Sequence, residues 1–254
     1  MSFRWPRAKG IVYRCPSAAC EASCDTDAVL TFQEAIASGA DLPVHTLLPE
    51  FSEAFTPGSV SIVSASAGSG KTTLIPLACA DLITSGERVI VCSPRRMSAR
   101  SCARRLASLL KDRLGNLVGF SVRGQSQRSR ETRIEFVTPG VLARMIHSDP
   151  GLYGIGCVIL DEFHERAVDS DLSLAFLIDI RSLLREDLRL VVMSATIDDT
   201  ALGKLLGDLP SRFFELKREL FPVSIRWEAP PRGIEVFQGD RISRGFLRHI
   251  ASLA

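Results

Sequence analysis

Residues Val60–Thr73 read VSIVSASAGSGKTT and give the strongest indication of the fold class. Its first half is rich in β-branched residues and predicts a strand, and a helical pattern begins at Lys71. Between them lie Gly68 and Gly70. Glycine permits the left-handed backbone that points successive N–H groups into one concavity, and a helix N-terminus favours anions. The stretch therefore predicts a strand, a phosphate-binding turn and a helix.

This loop matches the pattern G-x-x-x-x-G-K-[ST], except that Ala65 stands in the place of the first glycine. In such a loop the lysine, here Lys71, contacts the β- and γ-phosphates of ATP, and the hydroxyl of Thr72 ligates Mg²⁺. A glycine turn that precedes Lys-Thr-Thr by chance is disfavoured, because a strand precedes it and a helix follows. The predicted ATP-binding residues of the loop are Ala65, Gly68, Ser69, Gly70, Lys71, Thr72 and Thr73.

Short apolar runs alternate with longer helical patterns along most of the chain. The predicted strands are Ser59–Ala65, Arg88–Cys92, Arg133–Thr138, Cys157–Asp161 and Arg189–Ser194. The predicted helices are Lys71–Ser85, Ser98–Arg113, Gly140–Ser148, Asp171–Arg185 and Asp198–Leu206. Strands that are apolar on successive residues are buried on both faces, and intervening helices favour parallel pairing. We therefore predict an α/β fold with a mostly parallel sheet and helices on both faces, whose ligands bind at the carboxyl ends of the strands.

A second acidic site is predicted where the run Cys157–Leu160 ends in Asp161 and Glu162. Asp161 is expected beside the Mg²⁺ bound by Thr72, and Glu162 is placed to polarise the attacking water. The alternative is a plain acidic helix cap after a strand. The presence of Lys71 on the predicted phosphate loop favours the catalytic interpretation.

The tetrad Asp161-Glu162-Phe163-His164, followed by Glu165-Arg166, resembles the DExH signature of superfamily-two helicases, and more narrowly of the DEAH/RHA group. Phe163 in place of the usual alanine, Phe221-Pro222-Val223 and the loop beginning at Ala65 resemble the bacterial HrpB-type ATP-dependent helicases. The resemblance covers about residues 42–223. It implies a RecA-like P-loop NTPase domain, ATP and Mg²⁺ as cofactors, and His164 among the catalytic residues.

Arginines follow the second predicted strand in the sequence Ser93-Pro94-Arg95-Arg96-Met97. A turn with two guanidinium groups at a strand's carboxyl end can clamp phosphate oxygens. In the resembled family this is motif Ia, which touches the nucleic-acid backbone. The resemblance thereby assigns Pro94, Arg95 and Arg96 to nucleic-acid binding, mainly through phosphates and with RNA favoured over DNA.

Further nucleic-acid contacts are predicted at Thr138 and Gly140, whose hydroxyl and free N–H groups are similar to the family's motif Ib. The segment Gly119–Arg123 is similar to the family's Gly-Tyr-x-x-Arg turn and places Arg123 with them. Arg105 matches the family arginine that lies against the adenine ring, although a surface helix charge is an equally good interpretation.

Ser194-Ala195-Thr196 ends the last predicted strand and resembles motif III. Its two hydroxyl groups are expected to hydrogen-bond toward Asp161–His164 and so to couple this strand to the ATP site. A helix N-cap is the alternative role, and the two roles are compatible.

Composition and charge exclude several classes of protein and indicate which kinds of partner this chain could bind. The chain has 254 residues, 46% hydrophobic and 24% charged, which excludes disorder and coiled coil. No membrane span and no secretory signal are expected, since no apolar run is long enough. Although the net charge is only +2, eleven basic and two acidic residues lie between Arg95 and Arg133. This basic block indicates either an anionic partner on one face or the solvated side of a helix.

Cysteine usage fits a reducing cytoplasm, because the chain has seven cysteines at irregular spacing. Cys15, Cys20 and Cys24 cluster near the N-terminus, but no fourth ligand lies close by, so a metal site is not expected there.

Three segments are predicted: residues 1–41 as a loosely attached extension with a helix around Asp27–Ser38, residues 42–223 as the ATP-binding domain, and residues 224–254 as the truncated start of a missing second half.

The resemblance implies a second RecA-like domain that brings arginine fingers. About thirty residues follow Val223, too few for such a domain. The isolated chain is therefore expected to hydrolyse ATP slowly and not to unwind nucleic acid. The alternatives are a non-catalytic nucleotide- or RNA-binding module and a P-loop ATPase with another conformational task.

Overall fold

The computed structural model describes residues 28–195, 211–216, 228–231 and 233–253. The chain divides into two compact units, Met1–Arg218 and Glu219–Ala254. Some sequence predictions lie outside the described residues: Cys15, Cys20, Cys24, Thr196, the helix Asp198–Leu206 and Phe221-Pro222-Val223.

A mostly parallel sheet of eight strands forms the centre of the first unit. The strands are β1 (Val60–Ala65), β2 (Arg88–Cys92), β3 (Val118–Val122), β4 (Gln125–Gln127), β5 (Ile134–Val137), β6 (Ile155–Leu160), β7 (Arg189–Ser194) and β8 (Ser211–Leu216). Their order is β4-β3-β5-β2-β6-β7-β1-β8, and only the pairing of β3 with β4 is antiparallel. The predicted fold class is confirmed.

Helices cover both faces of this sheet. They are α1 (Phe32–Ser38), α2 (Leu48–Ala54), α3 (Lys71–Leu82), α4 (Arg96–Leu109), α5 (Pro139–Ser148) and α6 (Val168–Leu183), with 3₁₀ turns at Pro43–Leu47 and Phe163–Glu165. Strand β2 shows why the strands are apolar on successive residues. Val89 and Val91 pack into the core formed with α1 to α4, whereas Ile90 packs into the core formed with α5 and α6.

Three strands of this sheet, β3, β4 and β8, were missed by the sequence analysis. The segment Gly119–Arg123, predicted as a turn, is instead mostly strand β3, in which Phe120 is fully buried, and only Arg123 lies in the turn that follows. Strand β8 pairs in parallel with β1 and was not predicted. The prediction of a turn was wrong because Gly119 and Ser121 weaken the apolar pattern, while neighbouring β5 supplies the hydrogen bonds.

Part of the segment predicted as a loosely attached extension packs against the first unit. Helix α1 begins with a capping box in which Thr31 and Glu34 satisfy each other's backbone N–H groups. Ala35 of this helix is fully buried in the core that also contains Leu74 of α3. Residues 28–41 therefore lie against the helix that begins at the phosphate loop.

In the second unit, described by itself, β9 (Phe237–Gln238) and β10 (Arg241–Ile242) form a two-stranded antiparallel sheet, and α7 (Arg244–Leu253) follows. Among the described residues of both units, no helix has the length and apolar character that a bilayer crossing requires.

Candidate active site and nucleic-acid interface

The phosphate loop follows β1 and ends where α3 begins. Gly68 and Gly70 have φ angles of +78° and +91°, the left-handed region that side chains strain to adopt. Lys71 is the first residue of α3 and is only 4% exposed. The local sequence thus produces the predicted strand, turn and helix, with the positive helix terminus at the turn.

The predicted metal ligands lie in direct contact. Thr72 Oγ1 donates a hydrogen bond of 3.1 Å to Asp161 Oδ2, and Asp161 Oδ1 accepts one of 2.9 Å from the Glu162 amide. Burial, and then the charge of Glu162, raises the pKa of Asp161 to about 6, although the Thr72 hydrogen bond and the Lys71 charge act in the opposite direction. The raised pKa shows that the negative charge of Asp161 is poorly stabilised by the protein alone. A divalent cation bound beside it would stabilise that charge.

Two hydroxyl groups of the phosphate loop have no hydrogen-bond partner among the described residues, which is consistent with a phosphorylated ligand at this site. The Oγ atoms of Ser66 and Ser69 are buried and have no hydrogen-bond partner. Unpaired buried hydroxyl groups are costly, so ligand oxygens or water would stabilise them. With the Lys71 ammonium and the Thr72–Asp161 pair alongside, the chemistry of the loop fits a nucleotide phosphate with Mg²⁺.

The acidic segment 161–166 follows β6 and bends sharply. Glu162 has a φ of +51°, a left-handed conformation that is unusual for a residue other than glycine. Phe163 anchors the bend, since its ring is buried in the core under α5 and α6. The chain thus bends directly after Asp161, and the charge of Glu162 still contributes to the raised pKa of Asp161.

His164 links this segment to the end of β7. The backbone N–H of Ala195 donates a 3.2 Å hydrogen bond to His164 Nδ1. Glu162 Oε2 lies 3.4 Å from the same nitrogen. His164 Nδ1 therefore lies within reach of both an amide donor and a carboxylate. The backbone amide of Ala195 thus contacts the acidic segment. The hydrogen bonds predicted from the hydroxyl groups of Ser194 and Thr196 stay a prediction, and Thr196 lies outside the described residues.

The order of the strands sorts the predicted residues along one end of the sheet. Arg123 follows β3, Thr138 follows β5, Arg95 follows β2, Asp161 follows β6, and the phosphate loop follows β1. Neighbouring strands in this order place the predicted nucleic-acid residues beside each other. They also place the predicted ATP residues on the other half of the same end, as expected for an open α/β sheet.

Four of the predicted nucleic-acid residues make hydrogen bonds or ion pairs at this end of the sheet. Arg96 Nη2 donates a 2.9 Å hydrogen bond to the Arg123 carbonyl, which joins the loops after β2 and β3. Arg95 pairs with Glu165 at 3.1 Å. Thr138 is the N-cap residue of α5, and its carbonyl accepts the amides of Val141 and Leu142.

Gly140, Pro94 and Arg105, which were also predicted as site residues, have no described side-chain contact with the site. Gly140 is exposed and has open space around its Cα, and Pro94 is half-buried. Arg105 is exposed on α4, near Cys102, whose pKa is raised first by burial and then by the charge of Asp161. Helix α4 therefore lies close to the site, but no described contact holds Arg105 toward it, and its role at the adenine ring stays a prediction.

Two arginines of the basic block bond to other groups of this domain. Arg133 is structural, since its guanidinium donates to the carbonyls of Glu87 and Ala80. Arg128 pairs with Glu135, a carboxylate that is 2% exposed and also bound by Arg88. The candidate interface consists of the arginines that lie at the carboxyl ends of the strands.

Sequence analysis missed two residues that support the phosphate loop. The Val44 amide donates a 3.0 Å hydrogen bond to the Ser69 carbonyl. The side chain of Leu42 packs so closely on Gly70 that a Cβ there would lie 2.8 Å from it. The available signal was the apolar run from Leu42 to Val44, which was interpreted only as a domain boundary.

A phosphate loop after β1 that faces an acid pair after β6 defines a RecA-like P-loop nucleotide-binding domain. The chain belongs to the DEAD/DEAH box helicase family, which residues 49–204 match. It is 42% identical over 189 residues to the ATP-dependent RNA helicase HrpB of Escherichia coli, covering 72% of this chain and 23% of that protein. It is 36% identical over 196 residues to an ATP-dependent RNA helicase HrpA homolog of Haemophilus influenzae, covering 77% of this chain and 15% of the relative.

Solved structures agree with the sequence relatives. A crystal structure of the E. coli DExH-box NTPase HrpB superposes with a TM-score of 0.66 at 43% identity, covering 76% of this chain and 24% of that one. A crystal structure of E. coli DEAH/RHA helicase HrpB superposes with a TM-score of 0.63 at 44% identity, covering 68% and 22%. The chain thus spans about a quarter of the length of its HrpB relatives.

Proposed function

We propose that this chain is the ATP-binding first RecA-like domain of an ATP-dependent RNA helicase and that it works in the cytoplasm. The observation that carries the proposal is the 3.1 Å contact of Thr72 with Asp161 beside the buried Lys71. The HrpB and HrpA relatives are named ATP-dependent RNA helicases. Residues 42–223 form the proposed domain, and residues 224–254 begin the second half. The described cysteines are free thiols, which supports a reducing compartment.

In the proposed mechanism, Thr72 and Asp161 hold Mg²⁺, and the phosphate loop holds the triphosphate. When bound there, Mg²⁺ would neutralise charge on the phosphate oxygens. The Lys71 ammonium adds a fixed positive charge at the transferring phosphoryl group. Glu162, which has a left-handed backbone conformation, accepts a proton from the water that attacks the γ-phosphorus, while the bond from that phosphorus to the bridging oxygen breaks and ADP leaves.

The coupling proposed for motif III depends on the hydrogen bond between Ala195 and His164. A shift of the acidic segment on ATP binding moves His164, and the amide of Ala195 transmits that movement to β7. The nucleic acid lies along the ends of β3, β5 and β2, held mainly through its phosphates by Arg95, Arg96 and Arg123. Phosphate contacts make such binding insensitive to sequence and sensitive to salt.

Arginine fingers from a second RecA-like domain are needed for full activity, and they account for about 10³–10⁵ in rate in related P-loop enzymes. We therefore propose that the isolated chain binds Mg·ATP but turns it over slowly, with or without RNA. Strong stimulation of turnover by RNA in the isolated chain would contradict this proposal.

The test compares ATP binding and phosphate release in the wild type and two variants. Lys71→Ala should lose ATP binding, whereas Glu162→Gln should keep binding and lose the remaining turnover. Glu53→Gln is the matched control, since this exposed glutamate lies by Val60, at the opposite end of β1 from the loop. Unchanged turnover in Glu162→Gln would favour a non-catalytic nucleotide-binding module instead.

A further inference from the structure

Arg95 and Glu165 form a two-point ion pair between the loop after β2 and the acidic segment after β6. Arg95 Nη2 lies 3.1 Å from Glu165 Oε1, and Arg95 Nε lies 3.4 Å from Oε2. The Arg95 side chain remains 73% exposed and that of Glu165 31% exposed. Both carboxylate oxygens therefore occupy one side of a guanidinium group that is otherwise open to solvent.

A carboxylate and a phosphate bind the same donors of a guanidinium group. Both present two oxygens to a pair of parallel N–H groups, so one side of the group can hold one anion at a time. In the proposed function, Arg95 binds a phosphate of the nucleic-acid backbone. Glu165 occupies the donors that this phosphate would use.

We propose that Glu165 acts as an internal substitute for a nucleic-acid phosphate on Arg95, which the incoming strand must displace. The inference rests on the nucleic-acid interface of the proposed function and adds a competitor built into it. Removing the carboxylate should therefore strengthen binding of RNA, although Glu165 itself touches no nucleic acid.

The position of Glu165 connects this displacement to the ATP site. Glu165 ends the 3₁₀ turn Phe163–Glu165, and its neighbour His164 accepts the amide of Ala195. Glu162, the proposed base, immediately precedes the turn. Release of Glu165 by a phosphate frees one of the side-chain contacts that hold this turn, so RNA at Arg95 acts on the segment that carries both catalytic acids.

A purely structural ion pair is the competing explanation, because exposed pairs often contribute little. Fluorescence anisotropy of a labelled single-stranded RNA oligonucleotide distinguishes the two when measured on the full chain at low salt. The proteins are the wild type, Glu165→Gln, Arg95→Gln and the double variant. Glu131→Gln is the matched control, since this exposed glutamate lies within the basic block and its removal changes the net charge equally.

We expect Glu165→Gln to bind RNA about two- to fivefold more tightly, the range that exposed ion pairs span. Arg95→Gln should bind more weakly, and adding Glu165→Gln to it should bring no gain. The gain of the single variant should shrink as salt rises. Thermal unfolding of each variant verifies that it is folded.

Wild-type affinity in Glu165→Gln, with weaker binding in Arg95→Gln, would overturn this inference and leave the proposed function standing. An equal gain in the Arg95→Gln background, or in Glu131→Gln, would overturn it as well, because the effect would be one of overall charge. If no protein, the wild type included, binds RNA, the proposed interface fails and the inference fails with it.

Discussion

Replacing Asp161 with asparagine is expected to raise the free energy of unfolding of the ligand-free protein, and to do so more at pH 8 than at pH 5. Asp161 is only 3% exposed. Burial, with the nearby charge of Glu162, raises its pKa from 3.8 to about 6. The folded protein therefore holds the neutral acid in preference to the carboxylate, and asparagine is neutral at every pH.

The size of the effect follows from the two pKa values. The folded state binds the proton more tightly than the unfolded state, so the stability that protonated Asp161 contributes is complete below pH 3.8 and is lost as the pH rises through about 6. At 1.36 kcal/mol per pKa unit, the charged form costs about 3 kcal/mol at pH 8 and about 1.6 kcal/mol at pH 5. The advantage of Asp161→Asn should grow by about 1.4 kcal/mol between these pH values.

Urea unfolding followed by circular dichroism, without nucleotide or Mg²⁺, measures this difference. Asparagine loses part of the hydrogen bonding with Thr72 and Glu162, but that loss is the same at both pH values and cancels from the comparison. Asp169→Asn, at an exposed position of α6, controls for the removal of one acid. A stability difference between Asp161→Asn and the wild type that does not change with pH would refute the reasoning.

Gly70→Ala should abolish ATP binding and lower the melting temperature, because φ is +91° and the new Cβ would lie 2.8 Å from Leu42. Gly68→Ala is the matched control, because φ is +78° there and no atom lies within 4 Å of the new Cβ. It should lower the melting temperature and the ATP affinity less than Gly70→Ala does. Equal decreases in the two variants would argue against a role for the Leu42 contact. Thr72→Ala should remove the Mg²⁺ dependence of ATP affinity in a binding titration, and Thr72→Ser should restore it. Leu177→Ala should cost about 2–5 kcal/mol in urea unfolding, since this fully buried side chain fills the core under α6, while ATP affinity stays at the wild-type value.

Local chemistry explains which features could be predicted from the sequence. The phosphate loop depends largely on glycines, a lysine and a threonine that are close together in the chain, so the strand, turn and helix could be predicted from them. Buried parallel strands such as β2 and β7 were predicted with their observed bounds because both faces are apolar. Strand β3 was missed, since its hydrogen bonds come from β5, a partner that no local pattern reveals.

The fold class, the phosphate loop and the acid pair could be predicted from the amino-acid sequence, because each depends on residues that are close together in the chain. Which of these features lie in contact follows from the packing of the folded chain. Thr72 reaches Asp161 across 89 residues, and Arg95 reaches Glu165 across 70. Leu42 supports Gly70, and Ala195 meets His164. These contacts depend on the order of the strands across the sheet. That order is set by the packing of the helices and by the connections between strands, and the alternation of side chains along one strand carries no information about it.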